Sequence, residues 1–493
     1  MKSRPNILLI TTDTQRWDTL ACMGSPHAIS PNLDRLAREG VLFRNAHTSS
    51  PVCMPARCSL MTGTHAHVHG CIENGFGRFD HLPMLPDLLK EKGYYNIMVG
   101  KTHFGPIPDS FDVSFCTKGE KNSEADDFYA SFIRSKGYSR QTKHFEKNPV
   151  PEDIFIDAFL VTTTIEEIHK ASQTPDRPFF AFCSLLSPHG PIDPPGQWAS
   201  LYNDVPLPEV NYQEGEISTH PPALRSLLGY PDRPDVNGED LLRQRQLYYG
   251  LASYCDHQVG RLMKFLDDSG LREDTLVIFT SDHGQQYMDH GFNDKHNWYD
   301  ETWRVPLIMS QPSCLPCGQS EDFAMLHDLT VSILAAAGTA CPSMQGYDLY
   351  TPLAASEQLP RCCASASLFR SAALATMRWK MEYYFEDGCG RLFDRIRDPE
   401  EQFDLWDEPA LSSVRNRLLL ALLGWHGDTI DLKGLVQRSH VGGPIAKRAV
   451  AHIRAASGLA SERRLNELCK EIDGMTTSAK STTSNKPDAD DGK

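Results

Sequence analysis

The chain has 493 residues, of which 40% are hydrophobic and 23% charged, an ordinary balance for a globular protein of two or three domains. A net charge of −15 argues against nucleic acid as the main partner, yet an acidic protein can still carry a locally positive pocket for a small anion. No run approaches the ~18 apolar residues of a membrane span.

MKSRPNILLI has too short an apolar core for an export signal, so NILLI is read as a buried strand and the chain as cytoplasmic. Its fourteen cysteines are then expected to be free thiols. That first strand runs into Asp13. SPNLDRLAREG predicts a helix with Ser30 as cap, Pro31 in the first turn, Leu33, Leu36 and Ala37 on one face, and Gly40 as the stop. CSLMTG, after Arg57, predicts a short helix with Cys53 near its N-terminus. LPDLLKEKG repeats the helix pattern with Pro86 and Gly93, and the strand YYNIMVG follows, ending at Lys101 and His103. RPFFAFCSLL predicts a strand leading to His189; TLVIFTS predicts one leading to Asp282 and His283, and VPLIMS another.

The alternation of strands and helices implies an α/β fold, with a catalytic domain over residues 1–355. From about Leu368 the texture changes. TMRWKMEYYFEDG and GRLFDRIRDPEEQFDLW read as two or three antiparallel strands with a polar turn, followed by helices, in a smaller α+β subdomain over residues 356–465. Residues 466–493 are expected to form a disordered tail. Residues 109–151 and 198–240 look irregular and are the segments expected to decide the substrate.

Four apolar runs thus deliver acids, bases and cations at their C-terminal ends, where open α/β sheets bind ligands. Asp13, Asp282 and His283 suit a divalent cation. Arg57, Lys101, His103, His189 and Lys295 are donors suited to an oxyanion, which describes a site for sulfate, phosphate or phosphonate. Taken singly, each has a plainer reading: Asp13 as a turn former, His189 as a loop residue, Lys101 as a solvated cation, Cys53 as an inert buried thiol. Their coincidence favours an active site. No Walker loop or GxGxxG supports nucleotide binding. His65, His67 and His69 in THAHVHG are read as structural, and Cys314 and Cys317 lack the second pair a zinc site needs.

The motif CMPAR (Cys53 to Arg57) occurs in order with RPNILLITTD, PNLDRLAREGVLFRNAH, SLMTG, GKTHFG, SPHGP, SDHG, RVPLI and LFDRIRDPEEQFDL. Over roughly residues 4–410 this resembles the type I sulfatase family of the alkaline phosphatase superfamily. The resemblance implies a large, mixed, mostly parallel sheet sandwiched by helices. It also implies oxidation of Cys53 to formylglycine by a separate formylglycine-generating enzyme that reads the Pro and Arg. One divalent metal would lie among Asp13, Thr14, Asp282, His283 and the modified Cys53, calcium first and manganese as the alternative. A hydrated aldehyde at position 53 would attack the sulfur of a small sulfated sugar or an alkyl or aryl sulfate. His189 or Lys295 would assist the leaving alcohol, and His103 would take the proton that lets sulfate be expelled.

Two departures matter. Thr14 follows Asp13 where the family usually has a second Asp, and His283 stands where it usually has Asn. An imidazole softens the site and leaves metal identity, and sulfate against phosphonate monoester or phosphodiester, open at this point. Self-association is equally open.

Overall fold

The computed structural model describes residues 4–117, 127–140, 142–174, 176–226, 238–429 and 458–475. Eight strands form the larger sheet: β1 (Asn6–Asp13), β2 (Val41–His47), β3 (Tyr95–Gly100), β4 (Val113–Cys116), β5 (Phe179–Pro188), β6 (Thr275–Ser281), β7 (Leu307–Ser310) and β8 (Gly318–Met325). Their order is β4-β3-β5-β1-β6-β7-β2-β8. Every pairing is parallel except those of β7 with β6 and with β2.

β1, β5 and β6 are buried along their whole length because helices cover both faces of the sheet. The two-residue period of a strand then sends neighbours to opposite cores. Leu8 and Ile10 join the core made with helices Pro31–Arg38, Ile156–Ser172 and Glu239–Asp268. Ile7 and Leu9 join the core made with Cys53–Thr62, Leu85–Glu91 and Asp328–Ala336. Each such fully buried aliphatic contributes about 1.5–3 kcal/mol. The expected three-layer α/β architecture is found.

The smaller sheet is antiparallel, in the order β12-β11-β10-β9. Its strands are β9 (Ala364–Ser367), β10 (Ser371–Ala375), β11 (Trp379–Tyr384) and β12 (Cys389–Asp394). Helices Ser412–Asp428 and Gly458–Met475 cover one face through Leu418, Trp425, Leu465 and Cys469. On the other face Ala364, Ala366, Ala373 and Ala375 meet Trp298 and Trp303 of the larger unit.

Several expectations need correction. The reading of two or three strands misses β9 and β10, whose Ala and Ser carry little strand preference. They are small because two tryptophans fill the space above them. The disordered tail does not begin at residue 466: helix Gly458–Met475 runs past it, with Leu465, Cys469 and Ile472 buried at helical spacing. Residues 476–493 lie outside the described residues. Ser30 precedes its helix without capping it; its hydroxyl accepts the Ala21 N–H (2.8 Å) and donates to Asp34 (3.0 Å). The 109–151 segment holds β4 and a helix, Phe128–Ser135, among its described residues. None of the fourteen cysteines is in a disulfide, and no helix among the described residues is long and apolar enough to cross a membrane.

Candidate active site

The strand order makes β3, β5, β1 and β6 consecutive neighbours, so Lys101, His189, Asp13 and Asp282 emerge side by side at one rim of the sheet. Gly100 makes the first of these exits possible. Its φ is +105°, and a Cβ there would lie 1.8 Å from the Ser184 carbonyl oxygen of β5. Gly284, after His283, is held as tightly, since a Cβ would lie 1.9 Å from the Glu301 carbonyl oxygen. Thr14 (φ 62°) and His103 (φ 49°) adopt left-handed backbone conformations, a strain that clusters at functional sites.

Cys53 is the first residue of helix Cys53–Thr62, and Arg57 follows one turn later on the same side. The Arg57 guanidinium is buried. It donates from Nε to Asp282 Oδ2 (2.8 Å), from Nη2 to Asp13 Oδ2 (3.1 Å), and from Nη1 to Ser184 Oγ (2.7 Å) and the Lys101 carbonyl (3.3 Å). Lys101 Nζ also reaches Asp13 Oδ2, at 2.7 Å. Asp282 Oδ1 accepts the backbone N–H of Thr14 (3.1 Å) and of His283 (2.9 Å). The His283 Nδ1–H donates to the Gly284 carbonyl (2.7 Å), and Nε2 lies 3.1 Å from Cys53 Sγ. Lys295 Nζ donates to the same sulfur at 3.0 Å, and the His103 side chain hydrogen-bonds it too. His189 Nδ1 donates to the Gly190 carbonyl at 2.8 Å.

These partners set the charges. Burial alone would raise the Cys53 thiol, but Lys295 and His283 bring it well below its ordinary value. Burial would also raise Asp13; Lys101, with His189 and Arg57, holds it below the usual carboxylate range despite the Cys53 charge. Lys295 stays an ammonium because Cys53 and Asp13 outweigh its burial. For His283, Asp282 and Cys53 outweigh burial in the same way and raise it.

Donor atoms of Asp13, Cys53, Asp282 and His283 all lie within 4.8 Å of one another, every residue buried. Asp13 Oδ1 is buried without a hydrogen-bond partner. Carboxylate oxygens beside an imidazole nitrogen, with one acceptor left over, fit a divalent cation. Beside the cluster opens a cavity of about 330 Å³, lined among others by Thr14, His144, His189, Gln285, Tyr287 and Lys295.

All the residues singled out from the sequence as catalytic or metal-binding meet at this rim. The remaining motifs lie elsewhere. His65 pairs with Glu462 (2.7 Å), His67 with Ser367 (2.8 Å) and Thr429 (2.6 Å), and His69 with Ser59 (2.9 Å). Cys314 and Cys317 are exposed. Sequence reasoning missed Ser184, although a hydroxyl inside a fully buried apolar strand is a signal. It also missed His144, which no motif marks; its Nδ1 accepts the Ile192 N–H at 2.8 Å.

Comparison with known proteins places this geometry. Residues 5–339, more than half of the chain, match the sulfatase family model. The chain belongs to the sulfatase family, the sulfuric ester hydrolases. Residues 288–425 of this sulfatase also match the model for the C-terminal region of N-sulphoglucosamine sulphohydrolase. The sulfatase is 26% identical to an arylsulfatase of Clostridium perfringens, over 82% of this chain and 90% of that one. With a choline-sulfatase of Rhizobium meliloti it shares 27% identity, over 82% and 83%. The crystal structure of a phosphonate monoester hydrolase of Agrobacterium radiobacter superposes with a TM-score of 0.75 at 25% identity, covering 86% of this sulfatase and 96% of that chain.

Proposed function

We propose that this sulfatase hydrolyses the sulfate ester of a small alcohol through a formylglycine made from Cys53 and one divalent cation held by Asp13, Asp282 and His283, with the Thr14 hydroxyl beside them. The observation that carries the reading is the convergence of Lys295, His283 and His103 on the side chain of residue 53. When present, the cation would polarise the sulfate oxygens and the hydrated aldehyde would supply the attacking hydroxyl.

The chain's own residues do the rest. Arg57 ties both carboxylates to the helix that carries residue 53, so nucleophile and cation ligands keep one geometry. The Lys101 and Lys295 ammonium groups offset charge that develops on the sulfate oxygens in a site away from water. The Nδ1–H of His189 is committed to Gly190, so the proton it gives the leaving alkoxide oxygen travels from Nε2, with Lys295 as the alternative donor. His103 takes the proton from the hydroxyl at position 53 that lets sulfate depart. The alcohol itself fits the adjoining cavity, with a sugar or an alkyl or aryl group as its body.

A second reading, hydrolysis of a phosphonate monoester by the same residues, is favoured by the Asp282-His283 pair and by the likeness to the Agrobacterium hydrolase. The same imidazole favours manganese over the calcium expected first. The deciding experiment uses protein co-expressed with a formylglycine-generating enzyme and compares an aryl sulfate with an aryl phosphonate monoester. The sulfate should turn over with the higher kcat/KM, and mass spectrometry should find the Cys53 thiol replaced by an aldehyde. Full activity with an intact thiol, or an undiminished rate in Cys53→Ala, would overturn the reading; a preference for the phosphonate would select the second.

A further inference from the structure

We infer that the unmodified chain, with Cys53 still a thiol, is itself a site for a soft divalent cation of the zinc class, bound through the Cys53 sulfur. This uses the cluster assigned to the proposed function but concerns a different state of the protein, before any turnover. Four donors of three kinds converge: Cys53 Sγ, His283 Nε2 and a carboxylate oxygen from each of Asp13 and Asp282, all within 4.8 Å of one another. A four-coordinate zinc with bonds of 2.0–2.3 Å sets its ligand atoms roughly 3.5 Å apart. The sulfur and nitrogen are already 3.1 Å apart, so a modest adjustment of side chains would close the shell.

Two further features point to a ligand. Asp13 Oδ1 is buried at 0% exposure with no hydrogen-bond partner. His283 gives its Nδ1–H to the Gly284 carbonyl, which leaves Nε2 as the donor atom and fixes the ring, as carbonyls behind zinc-bound histidines do. Binding would form a metal–sulfur and a metal–nitrogen bond and release to solvent the proton of the thiol or of the imidazolium. No oxidant or reductant is consumed. The Lys295 ammonium can keep its hydrogen bond to a sulfur that also ligates.

The consequence is a change of cation preference when residue 53 is modified. Thiolate with imidazole selects a soft cation; removing the sulfur leaves oxygens and one nitrogen, which suit a harder one. The oxidation state of one side chain would therefore decide which metal the site retains.

The test uses full-length protein expressed without the formylglycine-generating enzyme, in a Cys314→Ser/Cys317→Ser background that removes the exposed cysteine pair. Cobalt(II) is titrated as the coloured stand-in for zinc. One equivalent should produce a near-ultraviolet thiolate-to-cobalt charge-transfer band, which zinc abolishes and excess calcium does not. Cys53→Ser should lose the band while keeping the circular dichroism of the parent. His283→Asn should keep the band but need more cobalt to develop it. No band in the thiol-bearing protein, or an equal band in Cys53→Ser, overturns the inference. If matured enzyme cleaves a sulfate ester while the thiol form gives no band, only this inference fails.

Discussion

Arg57 links more of the site than any other side chain. Its guanidinium joins Asp13 and Asp282 across two strands and reaches Ser184 on a third. A lysine presents one point charge and cannot make those bonds together. Arg57→Ala would take the guanidinium from buried Asp282 and leave Asp13 with Lys101, at a cost of about 3–5 kcal/mol. Chemical denaturation should report that loss, and Arg57→Lys should recover only part of it. Lys295, on a loop at the rim, is a different case. Lys295→Ala should keep the parent's circular dichroism yet lose about 10²-fold in kcat on an aryl sulfate, the usual effect of deleting one preorganised donor. Unchanged kcat would exclude Lys295 from the chemistry. Most of these residues were legible because each sits where an apolar run stops. Ser184 and His144 were not: one hides inside such a run, and the other is brought to the cavity by a loop whose path no periodicity encodes.

Among the elements, helix Gly458–Met475 has the most specific attachment. Its Glu462 accepts from His65 Nε2 (2.7 Å), Trp425 Nε1 (2.5 Å) and Arg361 Nη1 (3.1 Å), so one carboxylate ties the last described helix to the turn after helix Cys53–Thr62. Burial would raise its pKa, but His65 and Arg361 bring it down to about 2 from 4.5. A depressed carboxylate stabilises the fold above its unfolded value and loses that contribution as pH falls towards the folded one. Glu462→Ala should therefore cost about 3–5 kcal/mol at neutral pH, by leaving Arg361 and His65 short of a buried partner. The difference from the parent should shrink between pH 4.5 and about 2; a constant difference across that window would contradict it. The helix escaped the sequence reading because the polar stretch behind it colours the composition of the whole terminus. β9 and β10 escaped for the opposite reason, since their alanines answer to Trp298 and Trp303, far away in sequence.

For the whole molecule, buried neutral histidines add a pH dependence of their own below neutrality. Burial pushes His47 and His69 down to about 3 from 6.5. His47 is packed against Trp303, ring centroids 4.8 Å apart, and His69 bonds Ser59 of the helix that carries Cys53. The unfolded chain binds a proton at each more readily than the folded one, so stability is full above pH 6.5 and declines as pH drops towards about 3. Each such histidine contributes up to about 1.4 kcal/mol per pH unit in that range. The urea midpoint should fall from pH 7.5 to 5, less steeply in His47→Asn; a flat profile would show that these rings take up protons as readily in the fold as in the unfolded chain. The α/β class was legible in the apolar runs. The strand order was not, because pairing between β1 and β5 joins residues far apart in the chain.

The reversed strand of the larger sheet has a last consequence. Because β7 runs against β6, residues 282–306 leave and re-enter the sheet at the same rim, and the span between them carries Lys295 and several cavity-lining residues. Its two ends are tied to each other, Gly284 N–H to the Thr302 carbonyl and Gln285 N–H to the Glu301 carbonyl, each at 2.9 Å. The pocket-lining middle, Gln285 to Lys295, is thus a closed loop, and what the pocket admits can be altered by side-chain changes there while the ends hold how the scaffold threads.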